Sequence, residues 1–189
     1  MKDVLAFTAG LLIVASAFPY IIDIAKSKTH PNLVTWITWT LVGGISTLAA
    51  ISDHATHTAI LSGAMTFGNA MILFMGLGKG VKKYTRFDFI CQSLALLGLA
   101  LWIQTGDPSL AVIFSICAVL IAALPTWRHA WLKPFEETWQ GFAIAVLAGT
   151  LTIFSLNYFT FIALAYPIVT IFNSSVVVSI ILRRRQSSI

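Results

Sequence analysis

Residues Thr138–Leu182 read TWQGFAIAVLAGTLTIFSLNYFTFIALAYPIVTIFNSSVVVSIIL, 45 residues in succession without an Asp, Glu, Lys or Arg. At about 1.5 Å per residue one helix of that length reaches roughly 67 Å, over twice the roughly 30 Å hydrocarbon thickness of a bilayer. The run must fold back, and Asn157 to Thr160 is where the turn falls. Five further uncharged runs precede it: Val4–Ile22, Thr29–Ser52, His54–Gly78, Phe89–Gly106 and Pro108–Trp127. They hold 18 to 25 residues each, enough for one crossing apiece. The pattern predicts an all-α membrane protein of seven transmembrane helices joined by short loops. Composition agrees, since 58% of the 189 residues are hydrophobic and only 10% charged, against about 25% charged in ordinary soluble domains. Mean hydropathy is +0.87.

Charge sets the orientation, because short cytoplasmic loops collect Lys and Arg. With the N-terminus outside, the inner segments carry Lys26, Lys28, Lys79, Lys82, Lys83, Arg86, Arg128, Lys133, Arg183, Arg184 and Arg185, eleven of the twelve basic residues. Only Lys2 is outside, where the loops hold Asp53 and Asp107. The C-terminus is therefore expected in the cytoplasm, in a multi-pass protein of the plasma or inner membrane. The net charge of +5 reads as a basic face against anionic lipid head groups. Nucleic acid is not an expected partner, because the charges are scattered over separate loops. Cys91 and Cys117 both lie in apolar stretches and form neither a disulfide framework nor a metal set. Ala15-Ser16-Ala17 has the form of a signal-peptidase site, but the segment before the apolar run carries only Lys2 against Asp3. The first span is expected to remain.

The chain also repeats itself. Phe18-Pro19-Tyr20-Ile21-Ile22-Asp23 closes the first span, and Pro31-Asn32-Leu33-Val34-Thr35-Trp36 opens the second. Leu124-Pro125-Thr126-Trp127-Arg128-His129 closes the fifth, and Pro134-Phe135-Glu136-Glu137-Thr138-Trp139 opens the sixth. Each time a proline near the inner end is followed by a basic loop and then Pro-x-x-x-Thr-Trp. Asn69 and Asn173 stand 104 residues apart, as do Gly63 and Pro167. The repeat unit is three helices, residues 1–78 and 107–189, with a linker span over 79–106. Three helices plus one connector leave both copies facing the same way. That is a parallel 3+1+3 repeat, an arrangement in which transporters place a site between their halves.

On Pro19 and Pro125, Thr35-Trp36 and Thr138-Trp139, and Asn69 and Asn173, the chain resembles the SWEET and PQ-loop superfamily of seven-helix membrane transporters. The likeness covers nearly the whole chain. It departs at the namesake dipeptide, where Tyr20 and Thr126 stand in place of glutamine. The resemblance implies a cargo site between the repeats, with substrate contact at Asn69 and Asn173, and a girdle formed by Pro19, Pro31, Pro125 and Pro134. The superfamily also includes amino-acid exporters, vitamin-precursor carriers and a sorting receptor, so the fold does not fix the cargo.

Residue chemistry points the same way. Asn69 and Asn173 fall near mid-depth, where an amide without partners costs several kcal/mol. They read either as interhelical glue or as paired donors and acceptors for a hydroxylated solute. Trp39 lies one turn deeper than Trp36, and Phe142 is its repeat counterpart. This aromatic pair either lines a cavity or packs against its neighbours. Trp36, Trp127, Trp131 and Trp139 at the inner boundary and Trp102 near the outer one read as an interfacial belt. Pro19 and Pro125 are expected to bend their helices and act as hinges at an inner gate. Pro31 and Pro134 read as first-turn prolines. Gly43-Gly44, Gly63 with Gly68, and Ala145 with Gly149 read as close helix contacts.

No acidic or basic side chain lies deep in a span, which argues against a dedicated proton or sodium site. Asp23, whose counterpart is His129, is the nearest candidate and reads as a helix cap or a partner of Lys26. Asp53, His54 and His57 in one outer loop are weak metal ligands. No span joins a nucleophile to a base or gathers metal ligands, so no enzyme, cofactor or metal is expected. The reading is a facilitative transporter of a small polar, sugar-like solute working by alternating access. The alternatives are a non-transporting receptor or sensor of the same fold, and an amino-acid or vitamin-precursor transporter. Association as a homo-oligomer is compatible with either.

Overall fold

The computed structural model describes residues 1–80 and 108–186 continuously, with Thr85, Arg86, Phe87, Phe89, Ile90, Ser93, Leu96, Leu97, Ala100 and Gln104 between them. Six α-helices are defined there: α1 Lys2–Ala25, α2 Leu33–Ser52, α3 Thr56–Gly76, α4 Pro108–Leu132, α5 Trp139–Ser155 and α6 Phe161–Gln186. A 3-10 turn at Pro134–Glu136 precedes α5, and the described residues contain no strand. The helices α4, α5 and α6 carry the fifth, sixth and seventh expected spans. The linker span expected over 79–106 is not among these elements, and Cys91 and Trp102 lie outside the described residues.

Four of the helices are long and apolar enough to cross a membrane: α1, α3, α4 over Ile113–Leu132, and α6. An apolar run in lipid becomes helical because every backbone N–H and C=O must find its partner within the segment. Their outward faces are large and apolar, including Phe7, Leu11 and Phe18 on α1, Phe67 and Phe74 on α3, and Ile168 and Phe172 on α6. Water is a poor solvent for such a surface.

In the first trio α3 packs against both α1 and α2, and in the second α6 packs against both α4 and α5. Across the trios the first helix of each meets the second of the other, α1 on α5 and α2 on α4. Hydrogen bonds give the directions. Lys2 donates to the Leu156 carbonyl at 2.6 Å and Thr58 to that of Ala163 at 2.9 Å. The starts of α1, α3 and α6 therefore share one end, here the Asp3 end, with the finish of α5. At the other, basic end, Tyr20 reaches Glu137 at 2.7 Å and Arg184 reaches the Trp131 carbonyl at 3.1 Å. So α1, α3, α4 and α6 run one way and α2 and α5 the other.

The seam between α1 and α5 depends on Gly141, where a β-carbon would stand 2.6 Å from the main-chain oxygen of Ser16. Gly43 approaches Thr66 and Gly149 approaches Ile171, while Gly44, Gly63 and Gly68 have only ordinary contacts. Both α1 and α4 continue through their prolines, Pro19 and Pro125, without a break. Pro31 and Pro134 differ from expectation. Helix α2 starts at Leu33, two residues beyond Pro31, and Pro134 opens the separate 3-10 turn. The prolines precede these helices because the chain must first cross the end of the bundle.

Candidate functional site

A cavity of about 70 Å3 lies where the two trios meet. Trp39 from α2, Asn69 from α3, Phe142 from α5 and Asn173 from α6 all line it. The wall also includes Tyr20, Trp36, Tyr166, Thr170 and Ser174. Polar atoms are few and come as amides, hydroxyls and ring N–H groups, and no Asp, Glu, Lys or Arg is among the lining residues. A liquid water occupies about 30 Å3, and pockets for larger ligands begin near 300 Å3. The cavity has room for a few waters.

The two amides are placed differently. Asn173 Oδ1 accepts a 2.9 Å hydrogen bond from Trp127 Nε1. Asn69, equally buried, makes no hydrogen bond to another described residue, so its amide is left to the cavity. Trp39 Nε1 donates to the Val119 carbonyl at 3.1 Å, which fixes its ring across the gap between α2 and α4. Tyr20, Trp36 and Phe142 close the basic-end floor, with ring centroids 5.0 Å apart for Tyr20 and Trp36 and 6.1 Å for Tyr20 and Phe142. Trp36, expected at the interface, is instead buried at 4% exposure. It shares a helix face with Trp39 because residues three apart lie one above the other. Trp127 also departs from the belt, turned inward by its bond to Asn173. Trp131 is exposed and stacks beneath Arg184 at 4.8 Å, as an interfacial residue would.

Behind the floor lies a polar cluster that sequence reasoning missed. The Glu137 side chain has no solvent exposure. Its Oε2 accepts from the Tyr20 hydroxyl at 2.7 Å, and its Oε1 lies 2.9 Å from His129 Nδ1. His129 Nε2 in turn lies 3.2 Å from Glu136 Oε2. A neutral imidazole has one donor, so a ring with carboxylates at both nitrogens carries two protons or faces a protonated carboxyl. Arg185 ties the arrangement to α6, donating to the carbonyls of Pro134 at 3.0 Å and Glu137 at 2.8 Å. Burial pushes the Glu136 carboxyl up, but the Lys133 ammonium and His129 beside it prevail and hold it below the usual range. Asp23 does not pair with Lys26. Its carboxylate accepts from Thr138 at 2.7 Å, because α5 begins beside the end of α1. Glu137 was legible only as an isolated carboxylate against an apolar run, and Tyr20 only as the residue after Pro19.

At the Asp3 end, His57 Nδ1 meets the Ser155 carbonyl and Nε2 meets Asp3 Oδ1, both at 2.8 Å. Both nitrogens are occupied, so His57 is not free to join Asp53 and His54 around a metal. No group of three or more His, Cys, Asp or Glu fit to hold a metal ion occurs among the described residues. Contacts that cross between the trios therefore lie at both ends of the bundle. No family model matches this chain, and no curated protein or solved structure is significantly similar to it.

Proposed function

We propose that the chain is a facilitative transmembrane transporter of a small polar, sugar-like solute. It works by alternating access between two parallel three-helix repeats of the SWEET and PQ-loop type. The observation that carries this reading is one cavity, bounded by both trios, into which Asn69, Asn173, Trp39 and Phe142 all project. The amides supply both donors and acceptors, the aromatic rings supply an apolar face, and the lining residues include no charge that would demand an ionic cargo. Two trios that run the same way and exchange their first and second helices fit a rocking motion about a central site. In this topology α2 and α5 cross back, residues 79–106 supply the seventh crossing, and the N-terminus lies outside.

At about 70 Å3 the cavity does not admit a monosaccharide without widening. The test is uptake into proteoliposomes of a panel of sugars, polyols, amino acids and nucleosides. One solute should equilibrate, and Asn69→Ala and Asn173→Ala should each slow it by about tenfold, the worth of one buried hydrogen bond to the solute. A solute that binds without crossing would make the protein a receptor. Unchanged flux in both variants would remove the site. A reporter fused after Ile189 should read cytoplasmic, and an external reading would overturn the topology.

A further inference from the structure

We propose that solute passes between the cavity and the basic end along the seam of α2 and α4, where the hydroxyls of Thr35 and Thr126 line its path. The inference rests on the transport reading for its solute, while the parting of the two helices stands on hydrogen bonding. The repeat sets four hydroxyls in equivalent places: Tyr20 and Thr126 follow Pro19 and Pro125, and Thr35 and Thr138 precede Trp36 and Trp139. One pair lies where the end of α1 meets the start of α5, and both its members are spent. Tyr20 donates to Glu137 at 2.7 Å, and Thr138 donates to Asp23 at 2.7 Å with Thr29 meeting it at 2.8 Å. The other pair belongs to the end of α4 and the start of α2. Thr35 is 0% exposed and Thr126 1%, yet neither hydroxyl has a hydrogen-bond partner among the described residues.

Helical spacing places both hydroxyls on the seam that borders the cavity. Trp39 of α2 and Val119 of α4 line the cavity, and the Trp39 indole donates to the Val119 carbonyl across the gap. Thr35 stands one turn before Trp39 on the same face of α2, and Thr126 two turns beyond Val119 on the same face of α4. Because the two helices are antiparallel, both steps lead from the cavity toward the basic end, over roughly 6 and 10 Å at about 1.5 Å per residue. Thr35 also adjoins Trp36 of the cavity wall. A bare hydroxyl in an apolar interior is a cost that native side chains avoid. Thr38, Thr66 and Thr152 avoid it by donating to the carbonyl four residues back, and Thr126, well inside α4, does not. The α1–α5 seam is further bound by the approach of Gly141 to the Ser16 main chain, so the trios part at lower cost between α2 and α4. A hydroxylated solute passing there supplies each threonine with the donor or acceptor it lacks, without bringing charge to an uncharged wall.

Two measurements need no solute. Thr35→Val and Thr126→Val keep the side-chain shape and remove the bare hydroxyl, so each should raise Tm, by roughly 2–12 °C. Thr138→Val, which breaks the bonds to Asp23 and Thr29, should lower it. A fall in Tm for either of the first two would show its hydroxyl to be already satisfied and overturn the inference. In a C91S/C117S background in nanodiscs, Thr35→Cys and Thr126→Cys should react with a charged methanethiosulfonate at least about tenfold faster than Thr152→Cys, which is equally buried in α5. A minor open state at about 0.1–10% exposes the seam, whereas the control waits for unfolding. Equal rates would overturn the seam. For a solute that equilibrates in the uptake panel, both valine variants should slow flux by about tenfold, the worth of one hydrogen bond, while melting higher than the parent. That split is not given by a structural role, and unchanged flux would remove the two threonines from the path. Seam cysteines that react while nothing in the panel crosses would leave the parting of α2 and α4 standing and remove the transport reading.

Discussion

Gly141→Ala tests the closest approach between the two trios. The added β-carbon would lie 2.6 Å from the Ser16 carbonyl oxygen, a main-chain atom in the middle of α1 that cannot rotate away. An ordinary contact begins near 3.4 Å, so α1 and α5 must separate by roughly 0.8 Å, and overpacking of this kind costs about 1–3 kcal/mol. The matched control is Gly44→Ala in α2, where the nearest atom to the new carbon is 3.9 Å away. There the substitution meets no obstacle and gains about 1 kcal/mol from helix propensity. Gly141 is helical too, so that gain is common to both variants, and they should differ by the overpacking alone, about 1–3 kcal/mol, which at about 2–4 °C per kcal/mol is roughly 2–12 °C in Tm. Thermal unfolding of the purified proteins followed by tryptophan fluorescence reads the difference directly. If Gly141→Ala melts with or above Gly44→Ala, the α1–α5 seam does not depend on backbone contact at Ser16.

Two further outcomes follow from the polar ends. His57→Ala removes the bonds to Asp3 and to the Ser155 carbonyl and should lower Tm by roughly 2–12 °C, from about 1–3 kcal/mol for a buried acceptor left bare. Asp3→Asn, at a side chain 93% exposed, should cost far less, and equal losses would refute the burial argument. Stability should also fall on acidification, because the Glu136 carboxyl is held below its ordinary value of 4.5 in the folded protein. A group with a depressed folded pKa contributes stability that is present above the unfolded value and is lost as pH drops through the folded one. The contribution is small at a carboxylate about one-third exposed. Lys133→Met should flatten the lower limb of Tm against pH, and an unchanged limb would exclude the Lys133–Glu136 contact as its source.

What the sequence disclosed followed from length and hydrophobicity. The 45-residue uncharged run had to reverse, and the chain turns between Ser155 and Phe161. Offsets between the halves pointed to Asn69 with Asn173 and Trp39 with Phe142, and all four border one cavity. The failures share a cause. Trp36 and Trp127 were read from their depth, but depth does not determine which way a helix face turns, and both face inward. Glu137 was passed over because it lies outside the apolar run, yet it is buried by Tyr20 and His129, 117 and 8 residues away. Burial by distant segments leaves no periodic mark in the neighbouring sequence, so a charged residue at the edge of a span looks the same whether it meets water or a second helix.

The ties at the two ends set how firmly the trios are held together there. At the Asp3 end three bonds cross the trio boundary or brace it: Lys2 to Leu156, and His57 to Asp3 and Ser155. At a net worth of about 0.5–1.5 kcal/mol each, they hold that end by a few kcal/mol. The basic end has bonds from Tyr20 to Glu137 and from Thr138 to Asp23, with Thr29 meeting Thr138 at 2.8 Å, and they sum to a similar figure. In the proposed transporter, a gap of a few kcal/mol would leave a minor state at about 0.1–10% of the population, enough for exchange and too little for a standing leak. Between these ends, α1 and α5 touch backbone to backbone at Ser16 and Gly141, a contact that resists sliding but tolerates tilting. In a transporter of the proposed kind, breaking the ties at one end would tilt α1 against α5 about that contact and press the other end closed. A small set of hydrogen bonds at each end, rather than the apolar bulk of the bundle, would then decide which side the cavity faces.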